Sequence, residues 1–225
     1  MSTAPTRVAA SFWSTPRDRV AAEADRLARA GLRTVHWDHT DGRYAAAGGF
    51  SAAEAAAVTA DSGLAAEAHL MVEEPLGEVD RWTDFCELVV VHAGTRGWRA
   101  ALDRVRARGA RAAVALSPGI GVPEVDAGTD VLVMSITPGR AGSTFQVDAL
   151  GTVGQVAGPG HDVGLDGGVT REIVPRALDA GATWLVSGTD LVASEDPRGW
   201  LAAARGLPTT GDQVRARRGE HEGVG

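Results

Sequence analysis

Three separated stretches of this chain carry residues that could do metal or proton chemistry. His36 and Asp38 stand two residues apart, His69 follows further along, and Asp166 immediately precedes Gly167-Gly168. Two imidazoles and two carboxylates can hold a divalent metal such as Zn²⁺, Mn²⁺, Fe²⁺ or Co²⁺. Two carboxylates on opposite sides of a carbon atom can also move a proton from one face to the other. Either chemistry requires a fold that brings the three stretches together.

The elements that must position these residues alternate between strand and helix. Eight short apolar runs predict strands over residues 7–13, 33–38, 65–72, 88–92, 111–116, 131–136, 162–166 and 183–187. The runs are continuously apolar, which indicates a parallel sheet covered on both faces. Eight strand-and-helix units favour a single α/β domain, a (β/α)8 TIM barrel, over residues 1–206. No G-x-G-x-x-G motif follows the first run, which disfavours an open dinucleotide-binding sheet.

Capping and glycine signals predict where helices begin and end. Ser51 followed by Glu54 is typical of a capping box, and Gly31 fits the position just after a helix end. We expect further helices over residues 16–30, 98–108, 143–156, 170–180 and 196–205, one starting near residue 75, and a short helical segment over 123–127. Thr170 is predicted to cap the helix that follows it. Residues 207–225 are polar and charged, which predicts a disordered tail.

Composition and charge narrow the function classes. The 225 residues carry a net charge of −7, which argues against nucleic acid or an anionic membrane as a partner. The single cysteine, Cys86, excludes a disulfide within the chain and is predicted to be structural. No apolar run reaches the roughly 18 residues that span a bilayer, and the first residues lack the apolar segment of a signal peptide. We therefore expect a soluble, cytoplasmic protein.

The candidate residues lie where a barrel of this kind has its active site, at the carboxyl ends of the strands. His36 and Asp38 close the second predicted strand on one face. His69, His92 and Asp166 close the third, fourth and seventh. Each residue alone has a structural interpretation: a buried His–Asp hydrogen bond, a structural histidine, or an aspartate that shapes a turn. Their joint placement at one end of one barrel favours a metal or acid–base site.

Glycine-rich turns follow the last three predicted strands. Gly167-Gly168 and Gly188-Thr189 place backbone N–H groups where many such barrels bind phosphate. The loop 137–143 could close over a ligand, and Arg140 within it could add charge to an anion site. Ordinary turns are the structural alternative for each loop taken singly. Asp41, which precedes a glycine, is expected to shape the turn after the second strand.

The motifs resemble, in this order, those of the ribulose-phosphate 3-epimerase family. They are Ser11-Phe12-Trp13-Ser14, His36-Trp37-Asp38 with Asp41-Gly42, His69-Leu70-Met71-Val72, Met134-Ser135-Ile136 with Pro138-Gly139, Asp166-Gly167-Gly168-Val169 and Ser187-Gly188-Thr189. The resemblance covers nearly the whole predicted barrel, from Ser11 to about Val192. Single pieces are weak, but the ordered set with both histidines and both aspartates is specific.

The resemblance implies a barrel that binds one divalent metal, zinc first and Fe, Mn or Co as alternatives, through His36, Asp38, His69 and Asp166. It implies further that Asp38 and Asp166 are the acid–base pair: one removes the proton beside a ketone and the other returns a proton on the opposite face. A phosphorylated small-molecule substrate and a homo-oligomer are also implied. The residues around the substrate would be Ser11, His69, Met71, Met134, Gly139, Arg140, Ala141, Gly142, Gly167, Gly168, Gly188 and Thr189.

The sequence departs from the family pattern at residues expected to surround the substrate, and not at the four proposed metal ligands. Thr40 stands where the family usually has methionine, Ala45-Ala46-Ala47 replaces Val-Pro-Asn, Ala93-Gly94 follows His92 in place of a nearby glutamate, and the loop 137–143 differs. We therefore expect a divergent epimerase acting on ribulose 5-phosphate, on another ketose phosphate, or on a cyclitol phosphate. A non-catalytic phosphosugar-binding barrel is the alternative from another class, against which the paired aspartates argue. The chain has no lysine, which excludes a Schiff-base mechanism.

Overall fold

The structure is a computed structural model that describes residues 5–140 and 142–206. Eight parallel strands form a closed barrel, in which each strand pairs with the next and the last pairs with the first. The predicted TIM-barrel fold is confirmed, whereas the predicted tail at 207–225 lies outside the described residues. The strands are β1 (Arg7–Ser11), β2 (Thr34–Thr40), β3 (Ala65–Met71), β4 (Leu88–His92), β5 (Arg111–Leu116), β6 (Asp130–Met134), β7 (Val163–Asp166) and β8 (Trp184–Ser187).

Helices follow most of the strands and cover the outside of the barrel. The α-helices are α1 (Val20–Ala30), α2 (Ala52–Ser62), α3 (Val79–Thr83), α4 (Trp98–Ala107), α5 (Asp148–Val156), α6 (Val174–Asp179), α7 (Thr189–Val192) and α8 (Pro197–Ala204). Short 3₁₀ turns lie at Arg17–Arg19 and Pro75–Gly77. Within the described ranges, no helix combines the length and the apolar composition that a membrane span requires.

The ends of the first two helices follow the sequence signals. The N–H of Glu54 donates to Ser51 Oγ at 3.3 Å, and the N–H of Ser51 donates to the Glu54 carboxylate at 2.8 Å. The predicted capping box of α2 is therefore confirmed. Gly31 ends α1 with a φ of 105°, a left-handed conformation that glycine adopts without the clash of a Cβ atom. α1 begins later than residue 16 because the 3₁₀ turn at Arg17–Arg19 precedes it.

One predicted helix and one predicted cap are wrong. Residues 123–127 form no helix, and of this segment only Val125 packs against the core, so it lacks the apolar face that would stabilise one. Thr170 caps no helix with its side chain, because α6 begins only at Val174, where Pro175 fits the first turn. The carbonyl of Thr170 instead accepts the N–H of Val174 at 3.2 Å, and this hydrogen bond joins the preceding turn to the first residue of α6.

The helix α5 is shorter than predicted. It begins at Asp148 and not at residue 143. The N–H of Gln146 donates to the carbonyl of Ser135 at 3.0 Å, which holds the preceding segment against the end of β6. This segment places Phe145 so that a Cβ atom on Gly168 would lie 3.4 Å from it. The residues before α5 therefore form part of the barrel mouth and not a helical turn.

The amino-terminal end of the barrel interior is filled by large apolar side chains. Trp184 of β8 is fully buried there, with Leu88 and Leu132 in the same cluster. A Cβ atom on Gly164 of β7 would lie 2.3 Å from the Trp184 ring, so the glycine is what allows the indole to fit. Apolar side chains therefore fill this end of the barrel. The cavity lies at the opposite end, where polar residues such as Asp38 and Asp166 line it.

The structure predicts that Cys86 is chemically inert. The residue is 4% exposed, and burial together with the carboxylates of Glu67 and Glu87 raises the pKa of its thiol well above the ordinary value. Because the thiolate is the reactive form, we expect a thiol reagent at about pH 8 to label the native protein far more slowly than the urea-unfolded protein. Equal labelling rates in the two states would contradict the buried position.

Candidate active site

The carboxyl ends of β2, β3 and β7 bring the four candidate metal ligands together. His36 and Asp38 lie two residues apart on β2, and Asp38 is in register with His69 of the neighbouring β3. Asp166 is the last residue of β7. Because residues two apart on a strand point to the same face, His36 and Asp38 both face the inside of the barrel. The structure thus unites all four residues that the sequence singled out.

The ligand atoms of these four side chains form a compact group. One nitrogen or oxygen from each lies within 4.8 Å of the other three. Asp38 Oδ1 is 3.5 Å from His36 Nε2 and 3.1 Å from His69 Nδ1. Asp166 Oδ2 is 3.5 Å from His69 Nδ1. Atoms that each lie about 2.1 Å from one ion are about 3 to 4 Å apart, so this spacing is close to that of a metal-binding site.

His36 keeps one ring nitrogen free. Its Nδ1 lies 2.7 Å from Oε1 of the buried Glu67, which also accepts the indole N–H of Trp184 at 3.0 Å. Its Nε2 is buried and has no hydrogen-bond partner. Burial alone would lower the pKa of His36, but the carboxylates of Asp38 and Glu67 outweigh it and raise the pKa well above the ordinary value. The surroundings of this nitrogen therefore favour a positive charge, which a proton or a metal ion can supply.

His69 turns the other ring nitrogen toward the carboxylates. Its Nδ1 faces Asp38 and Asp166, and its Nε2 lies 2.8 Å from Nε2 of His92 on β4. The two imidazoles are stacked, with ring centroids 4.9 Å apart. Burial, together with the nearby His69, lowers the pKa of His92 well below the ordinary value. His92 is therefore a neutral partner for His69.

The two aspartates have different electrostatic surroundings. Burial favours the acid form of Asp38, but His36 and His69 outweigh it and lower its pKa. The hydroxyl of Ser11 also donates to Asp38 Oδ2 at 2.7 Å. Burial raises the pKa of Asp166, an effect that His36 opposes and the charge of Asp38 reinforces. The surroundings therefore move the two pKa values in opposite directions, a difference typical of paired groups in which one accepts and the other donates a proton.

A cavity of about 160 Å³ opens beside the two aspartates. His69 is fully buried and does not line it, Arg140 is exposed and lies outside its lining, and Ala141 lies outside the described residues. The other predicted substrate residues line it: Ser11, Met71, Met134, Gly139, Gly142, Gly167, Gly168, Gly188 and Thr189.

Glycines allow the backbone to approach this cavity closely. A Cβ atom on Gly167 would lie 2.5 Å from Ile136, and one on Gly188 would lie 3.3 Å from the carbonyl oxygen of Ser11. Gly167 also has a φ of 98°, which side chains rarely permit. Among the described residues that line the cavity, none is basic. An anionic group bound at this end would therefore find backbone N–H groups and hydroxyls in the cavity lining as its donors.

Several polar residues around the site were missed by the sequence analysis, or were noticed without a role. Glu67 supports His36 and could have been found, because residues 67, 69 and 71 alternate along β3 and face the same interior. The position of His92 at the end of a strand places it at the barrel rim, but the sequence does not indicate its contact with His69. Tyr44 and Ser117 lie in loops, where strand alternation gives no signal, and only the closed barrel brings them beside His92.

Asp41 shapes the loop after β2, in agreement with the prediction. Its Oδ1 accepts the N–H groups of Arg43 and Tyr44 at 2.8 and 2.9 Å, and its Oδ2 accepts the N–H of Glu73 at 2.8 Å. Partial burial opposes ionisation, but these amide hydrogen bonds outweigh it and lower the pKa of Asp41. The carboxylate therefore ties the loop that follows β2 to the segment after β3.

We expect Asp41→Asn to destabilise the protein near neutral pH but not in acid. The pKa of Asp41 is lowered in the folded state, so its stabilisation is fully present above the unfolded-state pKa and is lost as the pH falls through the folded-state value. Urea unfolding of wild type and variant between about pH 7 and pH 3 should show a stability difference that shrinks toward acid. A difference independent of pH would contradict a role for the charge.

Comparison with known proteins agrees with the ordered motifs. A family model described as the ribulose-phosphate 3 epimerase family matches residues 7–192. The cytoplasmic isoform of ribulose-phosphate 3-epimerase from Oryza sativa subsp. japonica is 28% identical over 222 residues, covering 90% of this chain and 94% of that protein. The ribulose-phosphate 3-epimerase of Bacillus subtilis is 25% identical over 213 residues, covering 89% of this chain and 98% of that protein.

Solved structures have a similar fold at much lower identity. 3-Hexulose-6-phosphate synthase from Salmonella typhimurium gives a TM-score of 0.67 at 14% identity, covering 89% of this chain and 97% of that one. KGPDC from Streptococcus mutans gives a TM-score of 0.66 at 10% identity, covering 90% and 97%. At these identities the similarity supports the barrel fold alone.

Proposed function

Since this chain belongs to the ribulose-phosphate 3-epimerase family and is a carbohydrate-phosphate epimerase, we propose that it inverts the carbon next to the ketone of a phosphorylated ketose. Ribulose 5-phosphate and xylulose 5-phosphate are the first pair of epimers to test. The observation that carries the proposal is the pair of aspartates at one small cavity whose pKa values are shifted in opposite directions. A carbon between them would have a base on one face and an acid on the other.

One divalent ion is assigned to His36, Asp38, His69 and Asp166, with zinc as the first choice and iron, manganese or cobalt as the others. Two observations support this fit: the spacing of the four ligand atoms, and the buried Nε2 of His36 without a partner. An ion bound there would supply positive charge that stabilises the negative charge formed on the substrate oxygen when the proton leaves.

Asp38 and Asp166 would exchange protons with the substrate. In one direction, the aspartate in its carboxylate form removes the proton from the carbon, and the other aspartate delivers a proton to the opposite face. The reverse reaction exchanges the two roles. Ser11, which donates to Asp38 Oδ2 at 2.7 Å, would hold that carboxylate in place and contact the substrate from the cavity wall.

The substrate would lie with its phosphate at the loops after β7 and β8. Gly167, Gly168 and Gly188 would offer backbone N–H groups there, as would the start of α7 at Thr189. Met71 and Met134 line the same cavity and would pack against the reacting carbon. The loop after β6 would contribute through Gly139 and Gly142, whereas the exposed side chain of Arg140 lies outside the cavity lining.

A second candidate substrate is another ketose phosphate or a cyclitol phosphate. Thr40, where the family usually has methionine, holds the loop after β2: its hydroxyl lies 3.0 Å from the carbonyls of Ala46 and Gly48 and accepts the N–H of Gly48 at 2.8 Å. A Cβ atom on Gly139 would lie 2.9 Å from Ala45, so the loops after β2 and β6 meet beside the cavity. Because these two loops differ from the family pattern, phosphorylated ketones other than ribulose 5-phosphate should be tested as well.

Incubation of the metal-loaded protein with ribulose 5-phosphate in D₂O tests the proposal. We expect the C3 proton to exchange and xylulose 5-phosphate to form, both followed by NMR. Exchange only with a different phosphorylated ketone would keep the mechanism and select the second candidate substrate. Failure of folded, metal-loaded protein to exchange the proton of any such ketone would contradict the two-aspartate mechanism.

We propose one catalytic domain over residues 1–206 in a cytoplasmic homo-oligomer that takes a phosphorylated small molecule and neither nucleic acid nor membrane. The net charge of −7 supports the last point, since it would repel polyanions. Light scattering on the purified protein tests the oligomer, and a monomeric mass across concentrations would contradict it.

A further inference from the structure

A chain of hydrogen-bonded side chains runs from the proposed metal ligand His69 to the loop after β2. His69 Nε2 lies 2.8 Å from His92 Nε2, and His92 Nδ1 lies 3.1 Å from Ser117 Oγ. Ser117 Oγ in turn lies 3.1 Å from the hydroxyl of Tyr44. The Tyr44 ring packs on His92 at 4.7 Å, and His92 packs on His69 at 4.9 Å, so three rings form a column. Both histidines are fully buried.

If His69 used Nδ1 as a metal ligand, the positions of the protons along this chain would be fixed. Nδ1 must be unprotonated to bind an ion, so Nε2 carries the proton and donates it to Nε2 of His92. Because His92 accepts at Nε2, its own proton lies on Nδ1 and is donated to Ser117 Oγ, 3.1 Å away. The hydroxyls of Ser117 and Tyr44 can each donate or accept, so they complete the chain without an unsatisfied group.

We propose that His92, Ser117 and Tyr44 are positioning residues that hold His69 in the tautomer and orientation that a metal ligand needs. The inference rests on the metal site of the proposed function. Without an acceptor at Nε2, the proton of His69 would lie on Nδ1 and would be donated to Asp38 Oδ1, 3.1 Å away. That arrangement occupies the lone pair that the ion requires.

The partner of the other imidazole supports this inference. His36 uses Nδ1 for Glu67 at 2.7 Å and leaves Nε2 free, whereas His69 uses Nε2 for His92 and leaves Nδ1 toward the carboxylates. The two rings therefore turn different nitrogens, Nε2 of His36 and Nδ1 of His69, toward the proposed metal site. Each ring needs a hydrogen-bond partner of its own that determines which nitrogen is available. Glu67 and His92 supply these partners from adjacent strands, β3 and β4.

Metal affinity, measured apart from activity, tests the role of His92. We expect His92→Leu to weaken Co²⁺ binding roughly 10–100-fold, measured by visible absorption of metal-free protein titrated against a competing chelator. His92→Gln should recover most of the affinity, because its amide oxygen can accept from His69 Nε2. Ser117→Ala should give a smaller loss, and Tyr44→Phe the smallest. Ser62→Ala, on the outer helix α2, is the control and should bind like wild type.

The outcomes separate this inference from the proposed function. Wild-type protein that binds no Co²⁺ would overturn the metal site itself, and the positioning role with it. Folded His92→Leu that binds Co²⁺ as tightly as a metal-binding wild type would show that His92 only packs, and would overturn the positioning role alone. If His92→Leu fails to fold, His92→Phe keeps the stacked ring and removes the acceptor, and wild-type affinity in that variant has the same meaning. Nitrogen NMR of the zinc-loaded wild type should find the His69 proton on Nε2.

Discussion

Asp166→Asn should lower kcat for epimerisation by roughly 10²–10⁴-fold, the range that general acid–base groups contribute. Asparagine keeps an oxygen at the position that faces His69 but cannot give or take the proton. The Asp166 side chain is 13% exposed at the cavity, so the change leaves the packed core intact. Asp38→Asn should reduce kcat at least as much, because Asp38 also accepts from Ser11 and faces both His36 and His69.

The two variants should differ from each other in D₂O. If each aspartate serves one face of the carbon, Asp166→Asn should still exchange the proton of the epimer that Asp38 deprotonates, without converting it. Asp38→Asn should do the same with the other epimer. Asp103→Asn, an exposed change on α4, is the matched control and should keep wild-type exchange and turnover. Loss of exchange with both epimers in both variants, with metal bound, would contradict one aspartate per face.

Elements whose ends are set by burial could be predicted from the sequence. The bounds of β4 and β5 agree with the predicted 88–92 and 111–116. All residues of the two strands except the exposed Arg111 are buried, and a charged residue, Glu87 or Arg111, marks where each apolar run begins. The start of α5 could not be predicted, since the hydrogen bond from Gln146 to Ser135 joins a loop to another strand. Local propensity carries no information about such a contact.

The same division applies to the site. His36, Asp38 and His69 could be placed together because strand alternation and the parallel order of the strands follow from the sequence. The groups that hold them could not, since their contacts cross the barrel. Trp184, at the start of the last strand, reaches Glu67 on the third, and this contact depends on the closed ring of strands and on the absence of a side chain at residue 164.

Glu67→Ala should lower the free energy of unfolding by about 3–5 kcal/mol, the typical cost of removing one partner from a buried charged network. Glu67 is 1% exposed, and its Oε1 lies 2.7 Å from His36 Nδ1 and 3.0 Å from Trp184 Nε1. Its Oε2 is 3.9 Å from the guanidinium of Arg7. The alanine variant leaves the His36 and Trp184 N–H groups without their acceptor and removes the carboxylate nearest Arg7. Urea denaturation of the metal-free protein measures the loss.

Glu67→Gln separates the charge from the hydrogen bonds. Glutamine keeps one oxygen for His36 and Trp184, so we expect intermediate stability and metal affinity near wild type. Glu67→Ala should also weaken metal binding roughly 10–100-fold, because the ring of His36 loses the partner that fixes it. Glu87→Ala, an exposed change beside β4, is the matched control and should alter neither quantity. Equal metal affinity in Glu67→Ala and wild type would mean that packing alone holds the ring of His36, and the buried carboxylate would then serve stability and not the metal site.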